Sequence, residues 1–136
     1  MKIYIASSWK NQHAVEMLTG ILRVFGHEVV SFVERAVTDE GRGNLAFDVD
    51  KWIESDDGLD KFKFDLKGAT TSDLVVYIGP SGTDAWAEVG AAWMARVPIL
   101  GLWAKGENAG LMRRMMTGWY NNFQDLLDVI QDLKGI

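Results

Sequence analysis

Cysteine is missing from the chain. That removes disulfides and thiolate metal sites, and it fits a cytoplasmic setting. No apolar run approaches the ~18–20 residues that a membrane-spanning helix needs. The opening MKIYIASSW has one early lysine and a short apolar run that ends in polar residues, so no signal peptide is expected there. Basic residues are in deficit, 14 against 19 acidic, for a net charge of −5. Neither a nucleic-acid backbone nor a membrane surface is therefore expected as the main partner. No cluster has metal-ligand spacing, and nothing in the sequence calls for a metal or any other cofactor. Internal repeats and linkers are absent as well.

What is present is ordinary globular material, 48% hydrophobic and 24% charged over 136 residues. That length suits one domain, 1–136, with a real core. KIYIAS (Lys2 to Ser7) reads as a buried strand. NQHAVEMLTGILRVFGH follows with Val15, Leu18, Leu22 and Phe25 at helical spacing and Gly26 as a C-cap, and EVVSFV reads as a second strand. Strand, helix, strand within about thirty residues is a βαβ unit with parallel strands.

From Arg35 to Gly58 no clean period survives, and glycines and aromatics are scattered through an acid-rich stretch. This irregular insertion, 35–58, is either solvated or a lid that closes on a ligand. Helical spacing returns with Leu59, Phe62, Leu66 and Ala69. DLVVYIG (Asp73 to Gly79) is the clearest strand, followed by a helix from about Thr83 to Ala95 and a strand in VPILGLW. GLMRRMMTGW reads as a short helix, the segment near Trp119 and Tyr120 as a short fifth strand, and NFQDLLDVIQDLKGI as a closing amphipathic helix. The fold class expected is α/β, a flavodoxin- or Rossmann-like three-layer sandwich around a parallel sheet of 4–5 strands.

In such sheets ligands bind beyond the carboxyl ends of the strands, where the strand order reverses. In a flavodoxin-like order that point lies between the first and third strands. Their exits here are ASSWKN and GPSGTD, small polar turns that each feed a helix N-terminus and present N–H groups to an anion or a hydroxyl-rich ligand. Glu88 stands on the helix facing that cleft, among Trp86, Ala87, Val89, Ala91 and Ala92. It is a candidate nucleophile or general base, against a solvated glutamate or a partner of Arg96. Asp65 is a second carboxylate for the same cleft, against a surface aspartate paired with Lys61. His13 and His27 read as surface residues. Met112, Met115 and Met116 read as core or subunit interface.

Three stretches in order, KIYIASSW, DLKGATTSDLVV and DAWAEVGAAWMARVPILGL, resemble the nucleoside 2-deoxyribosyltransferase superfamily, which includes deoxynucleoside 5′-monophosphate N-glycosidases. They span roughly Lys2 to Leu102 without the insertion. The resemblance implies cleavage or transfer at the N-glycosidic bond of a nucleoside or nucleotide, in a homo-oligomer. It implies Glu88 as nucleophile at the anomeric carbon, Asp65 as helper of the departing base, and Tyr4 positioning the glutamate or sugar. Ser7, Ser8 and Trp9 would lie near the sugar or a 5′-phosphate. Six residues before the glutamate, where the family has aspartate or serine, stands Gly82, flanked by Ser81 and Asp84. Asp84 either takes over that contact or caps the helix. Asn108 and Arg113 fall where relatives lend residues to a neighbouring subunit's site, and Trp93, Trp103 and Trp119 are candidates for the subunit contacts. Two other readings stay open. One is NAD glycohydrolase chemistry, as in TIR domains, whose Trp-Cys pair this chain lacks. The other is a nucleotide-binding module without turnover.

Overall fold

The structure, a computed structural model, describes residues 1–34, 48–108 and 110–134. Five strands form one sheet: β1 (Lys2–Ala6), β2 (Glu28–Ser31), β3 (Leu74–Ile78), β4 (Ile99–Leu102) and β5 (Gly118–Tyr120). Their order is β2-β1-β3-β4-β5 and every neighbouring pair is parallel. The helices are α1 (Gln12–Val24), α2 (Val49–Ile53), α3 (Asp56–Thr71), α4 (Thr83–Met94) and α5 (Phe123–Lys134).

Alternation along the strands builds two cores. Ile3 and Ile5 of β1, Leu74, Val76 and Ile78 of β3 and Leu100 of β4 pack under Val15, Leu18 and Leu22 of α1 and Leu126 and Ile130 of α5. Tyr4, Ala6, Val75, Tyr77 and Ile99 point the other way, against Ala69 of α3 and Ala85, Val89 and Ala92 of α4. The α/β sandwich expected from the sequence is thus present, with its order reversal between β1 and β3.

Three local expectations change. The C-terminal part of the 35–58 segment is helical: Asp48 caps α2 by accepting from the Lys51 N–H, and Ser55 caps α3 by accepting from the Gly58 N–H. These short polar caps end one helix and start the next within a few residues, which scrambles the hydrophobic period. The rest of that segment, 35–47, lies outside the described residues, as does the question of a lid. His27 is buried, 4% exposed, with its Nδ1 3.2 Å from the Met1 nitrogen. Trp103 is buried too, between Tyr77, Trp86 and the Arg113 guanidinium, which leaves only Trp93 and Trp119 of the three tryptophans on the surface. Of the three methionines, Met116 is core, Met115 packs against it, and Met112 is exposed. GLMRRMMTGW carries the short helix expected, a 3-10 turn at Leu111–Met115.

Candidate active site

Tyr4 is the centre of the site. As the middle residue of β1 it points into the α3–α4 layer, fully buried. A Cβ at Gly68 of α3 would run into its ring, so only glycine lets α3 lie this close to the strand. The Tyr4 hydroxyl donates to Glu88 Oε1 at 2.5 Å, across 84 residues of sequence. The Asp65 carboxyl is its second neighbour.

Glu88 occupies the buried stripe of α4. Ala85, Val89 and Ala92 are its buried residues, and position 88 falls three after the first and one before the second. A carboxylate sits among apolar neighbours because this part of the stripe faces Tyr4 and a cavity. Burial, then the Asp65 charge, push the Glu88 carboxyl up to about 8, while the Tyr4 hydrogen bond pulls in the other direction. No ion pair joins it to Arg96. Asp65 does pair with Lys61, whose Nζ lies 2.5 Å from each carboxylate oxygen. Burial raises its pKa and Lys61 offsets part of that rise. Asp65 is thus paired with Lys61 as expected, but the pair is not on the surface: Lys61 is buried, Asp65 is half-buried, and both line the cleft. The Tyr4 hydroxyl, buried between two acids, is held far above the usual phenol range.

The four residues Lys61, Asp65, Asp84 and Glu88 form the wall shared by two cavities. One, of about 230 Å³, is the polar lobe at the carboxyl ends of β1 and β3, lined among others by Ser7, Ser8, Trp9, Ser81, Gly82 and Thr83. The other, of about 390 Å³, is the apolar lobe between α2, α3 and α4, walled by Trp52, Ile53, Leu59, Phe62 and Leu66.

In the polar lobe, Ser8 Oγ, Trp9 Nε1 and Ser81 Oγ are buried without a hydrogen-bond partner among the described residues. Ser7 differs: its hydroxyl donates to the Ile78 carbonyl at 2.8 Å and accepts from Asn11. The Asn11 amide also donates to the Pro80 carbonyl at 2.8 Å, so Ser7 and Asn11 lace the two turns together. Asp84 does not cap α4. Gly82 is the N-cap and makes no side-chain bond, while Asp84 lies exposed in the first turn and adds its charge to the cleft. Asn108 is exposed, and the Arg113 guanidinium stacks 3.8 Å from the Trp119 ring centroid; neither lines either lobe.

Sequence reasoning missed two contributors and left a third open. Lys61 entered only as a surface partner for Asp65, yet it lines both lobes. Trp52, one of the aromatic residues scattered through the 35–58 segment, walls the apolar lobe. Glu107 accepts from the Tyr77 hydroxyl at 2.8 Å and from the Ala104 N–H, and Tyr77 in turn accepts from the Ser81 N–H at 3.2 Å. This relay holds the turn after β3, and no spacing rule announces it. Among the described residues no group of three His, Cys, Asp or Glu could hold a metal, and no helix is long and apolar enough to cross a membrane.

Neither protein-family models nor curated proteins gave a match. Solved structures did. A 2-deoxyribosyltransferase from Bacillus psychrosaccharolyticus superposes with a TM-score of 0.73 at 22% identity, over 93% of this chain and 90% of that one. A CMP N-glycosidase from Clostridium botulinum gives 0.62 at 17% identity, over 96% and 99%. A conserved protein from Enterococcus faecalis V583 gives 0.65 at 16%, over 97% and 98%. At these identities the likeness is one of fold. Along nearly its whole length, the chain has the fold of a 2-deoxyribosyltransferase and of a CMP N-glycosidase.

Proposed function

We propose that the protein cleaves or transfers the N-glycosidic bond of a nucleoside or nucleotide, with Glu88 as nucleophile at the anomeric carbon. The observation that carries this reading is the place of the two carboxyls, in the wall between a polar lobe and an apolar one. A nucleoside has the same division: a hydroxyl-rich sugar, a flat base, and one bond between them. The unpartnered Ser8, Trp9 and Ser81 donors suit the sugar, and the Trp52–Phe62 side suits the base. The shared fold with two proteins named for this chemistry supports the reading.

In the proposed reaction Tyr4 holds Glu88 through Oε1 and leaves the other oxygen to attack. The Glu88–C1′ bond forms as the C1′–N bond breaks through an oxocarbenium-like state, and the electron pair departs with the base. Water then cleaves the glycosyl ester in hydrolysis; a second base does so in transfer. Among the described residues, Lys61 is the only cation lining the polar lobe, and it is committed to Asp65. That favours a nucleoside with an uncharged 5′ end over its monophosphate.

The test is chromatography of free base released from ribo- and deoxyribonucleosides and their 5′-monophosphates, with and without a second base. Release by the wild type and a loss of at least about a hundredfold in Glu88→Ala is the expected result. Release unchanged in that variant refutes the assignment of Glu88.

A further inference from the structure

Lysine is almost never as buried as Lys61, 3% exposed, unless it is paired. Its ammonium is held by both oxygens of Asp65 and lies 5.4 Å from the centre of the Phe32 ring and 5.9 Å from that of Phe64. Such a pair is a poor stabiliser, because desolvation offsets most of the attraction and apolar replacements are often as stable or more so. Folding therefore gives α3 little reason to carry a lysine here. The cleft gives one, since Lys61 lines both lobes and acts on the carboxyl beside Tyr4 and Glu88.

We propose that Lys61 is a positioning residue that works through Asp65: by holding that carboxyl ionised, it assigns the proton shared along Asp65, Tyr4 and Glu88 to Glu88. Among the described residues, the titratable groups facing this chain are Lys61 and Asp65 from α3, Tyr4 from β1, and Glu88 and Asp84 from α4. Lys61 is the one cation among them. Burial alone drives Asp65 toward its neutral form, and Lys61 opposes that. Without the lysine, Asp65 takes the proton. Glu88 then loses the charged neighbour that weighs on it more than the lysine helps it, and ionises at lower pH.

The kinetic consequence rests on the proposed glycosidic chemistry. With Asp65 a carboxylate, the departing base finds no proton there. A base that is already cationic needs none: once Glu88 has released its proton to solvent, its carboxylate bonds to C1′, the C1′–N electron pair returns to the ring nitrogen, and the base leaves neutral. An ordinary neutral base would leave as an anion. Lys61 thus biases the site toward cationic N-glycosides, and its removal relaxes that bias.

The first experiment needs no substrate. Carbon-13 shifts of the Asp65 and Glu88 carboxyls are followed from about pH 4 to 10 in the wild type, in Lys61→Met and in Lys61→Gln. Asp65 should ionise before Glu88 in the wild type, and the order should reverse in the variants. Glu88 ionising first in the wild type overturns the proposal even if neither variant folds, and so does an unchanged order in a folded variant. In the second experiment, the ratio of kcat/KM for 7-methyl-2′-deoxyguanosine to that for 2′-deoxyguanosine is measured at mildly acid pH, where the methylated base is cationic. It should fall at least about tenfold in Lys61→Met, and an unchanged ratio in an active variant refutes the leaving-group role. If the wild type releases no base from any nucleoside, the glycosidic reading fails while the carboxyl titration still decides the placement of the proton.

Discussion

Replacing Glu88 by glutamine should stabilise the protein, and by an amount that grows with pH. The carboxyl ordinarily ionises at 4.5 and here at about 8, because it is buried and stands beside Asp65. A raised value in the folded state means the unfolded chain sheds this proton first. The wild type is therefore penalised progressively as pH rises from about 4.5 to about 8, and the penalty levels off above that. At 1.36 kcal/mol per pH unit, the span from 4.5 to about 8 comes to roughly 5 kcal/mol. Spread over the curve, that is about 1 kcal/mol at pH 5, about 3 at pH 7 and about 5 at pH 9. Glutamine keeps an oxygen for the Tyr4 hydroxyl and cannot ionise, so it escapes the penalty. How well its amide nitrogen fits adds a constant offset, which leaves the pH slope as the diagnostic quantity. Urea unfolding of both proteins at several pH values measures it. Parallel curves would show that Glu88 is ionised in the fold at neutral pH, and the account of the cleft's protons would fall with that result.

Further outcomes follow from the same geometry. In the wild type kcat/KM should climb with pH toward about 8 as Glu88 ionises. Tyr4→Phe removes a hydrogen bond to that anion, about 1.5–3 kcal/mol or roughly 10- to 150-fold in kcat/KM, and moves the climb to higher pH; a climb left in place counts against Tyr4 as the donor. Gly68→Ala drives a methyl group into the Tyr4 ring and should cost about 1–3 kcal/mol in thermal or urea unfolding. Gly90→Ala, within α4 with nothing inside 4 Å of the new carbon, should instead gain up to about 1 kcal/mol in the same assay. Arg23→Ala breaks an exposed pair with Glu34 and should cost no more than about 1 kcal/mol, less in high salt.

The sheet was readable because its signals are local. Runs such as LVVYI and the period of Val15, Leu18 and Leu22 report burial within a few residues of themselves. Glu88 could be singled out for the same reason, as a charge inside an apolar stripe. What could not be read is what lies across the fold. Tyr4 meets Glu88 over 84 residues of separation and Tyr77 meets Glu107 over 30, and the second pair has no motif to mark it. Lys61 was visible as an i,i+4 partner of Asp65, but that spacing is the same on a wet helix face and on a buried one. Asp84 shows the converse: a capping residue type at a helix start, passed over because the chain turns in at Gly82.

Lys61, Asp65 and Gly68 stand at i, i+4 and i+7 of α3, one above another on a single face. The glycine sets how closely the helix rests on β1, and the two charged residues ride at whatever height that seat dictates. A slide of α3 by a fraction of a turn would lift the ammonium, the carboxylate and the phenol's resting place out of register together. The cleft can therefore be mistuned by a single mechanical coordinate, and a partner or ligand that pressed on the exposed outer side of α3 would act on the cleft without entering it.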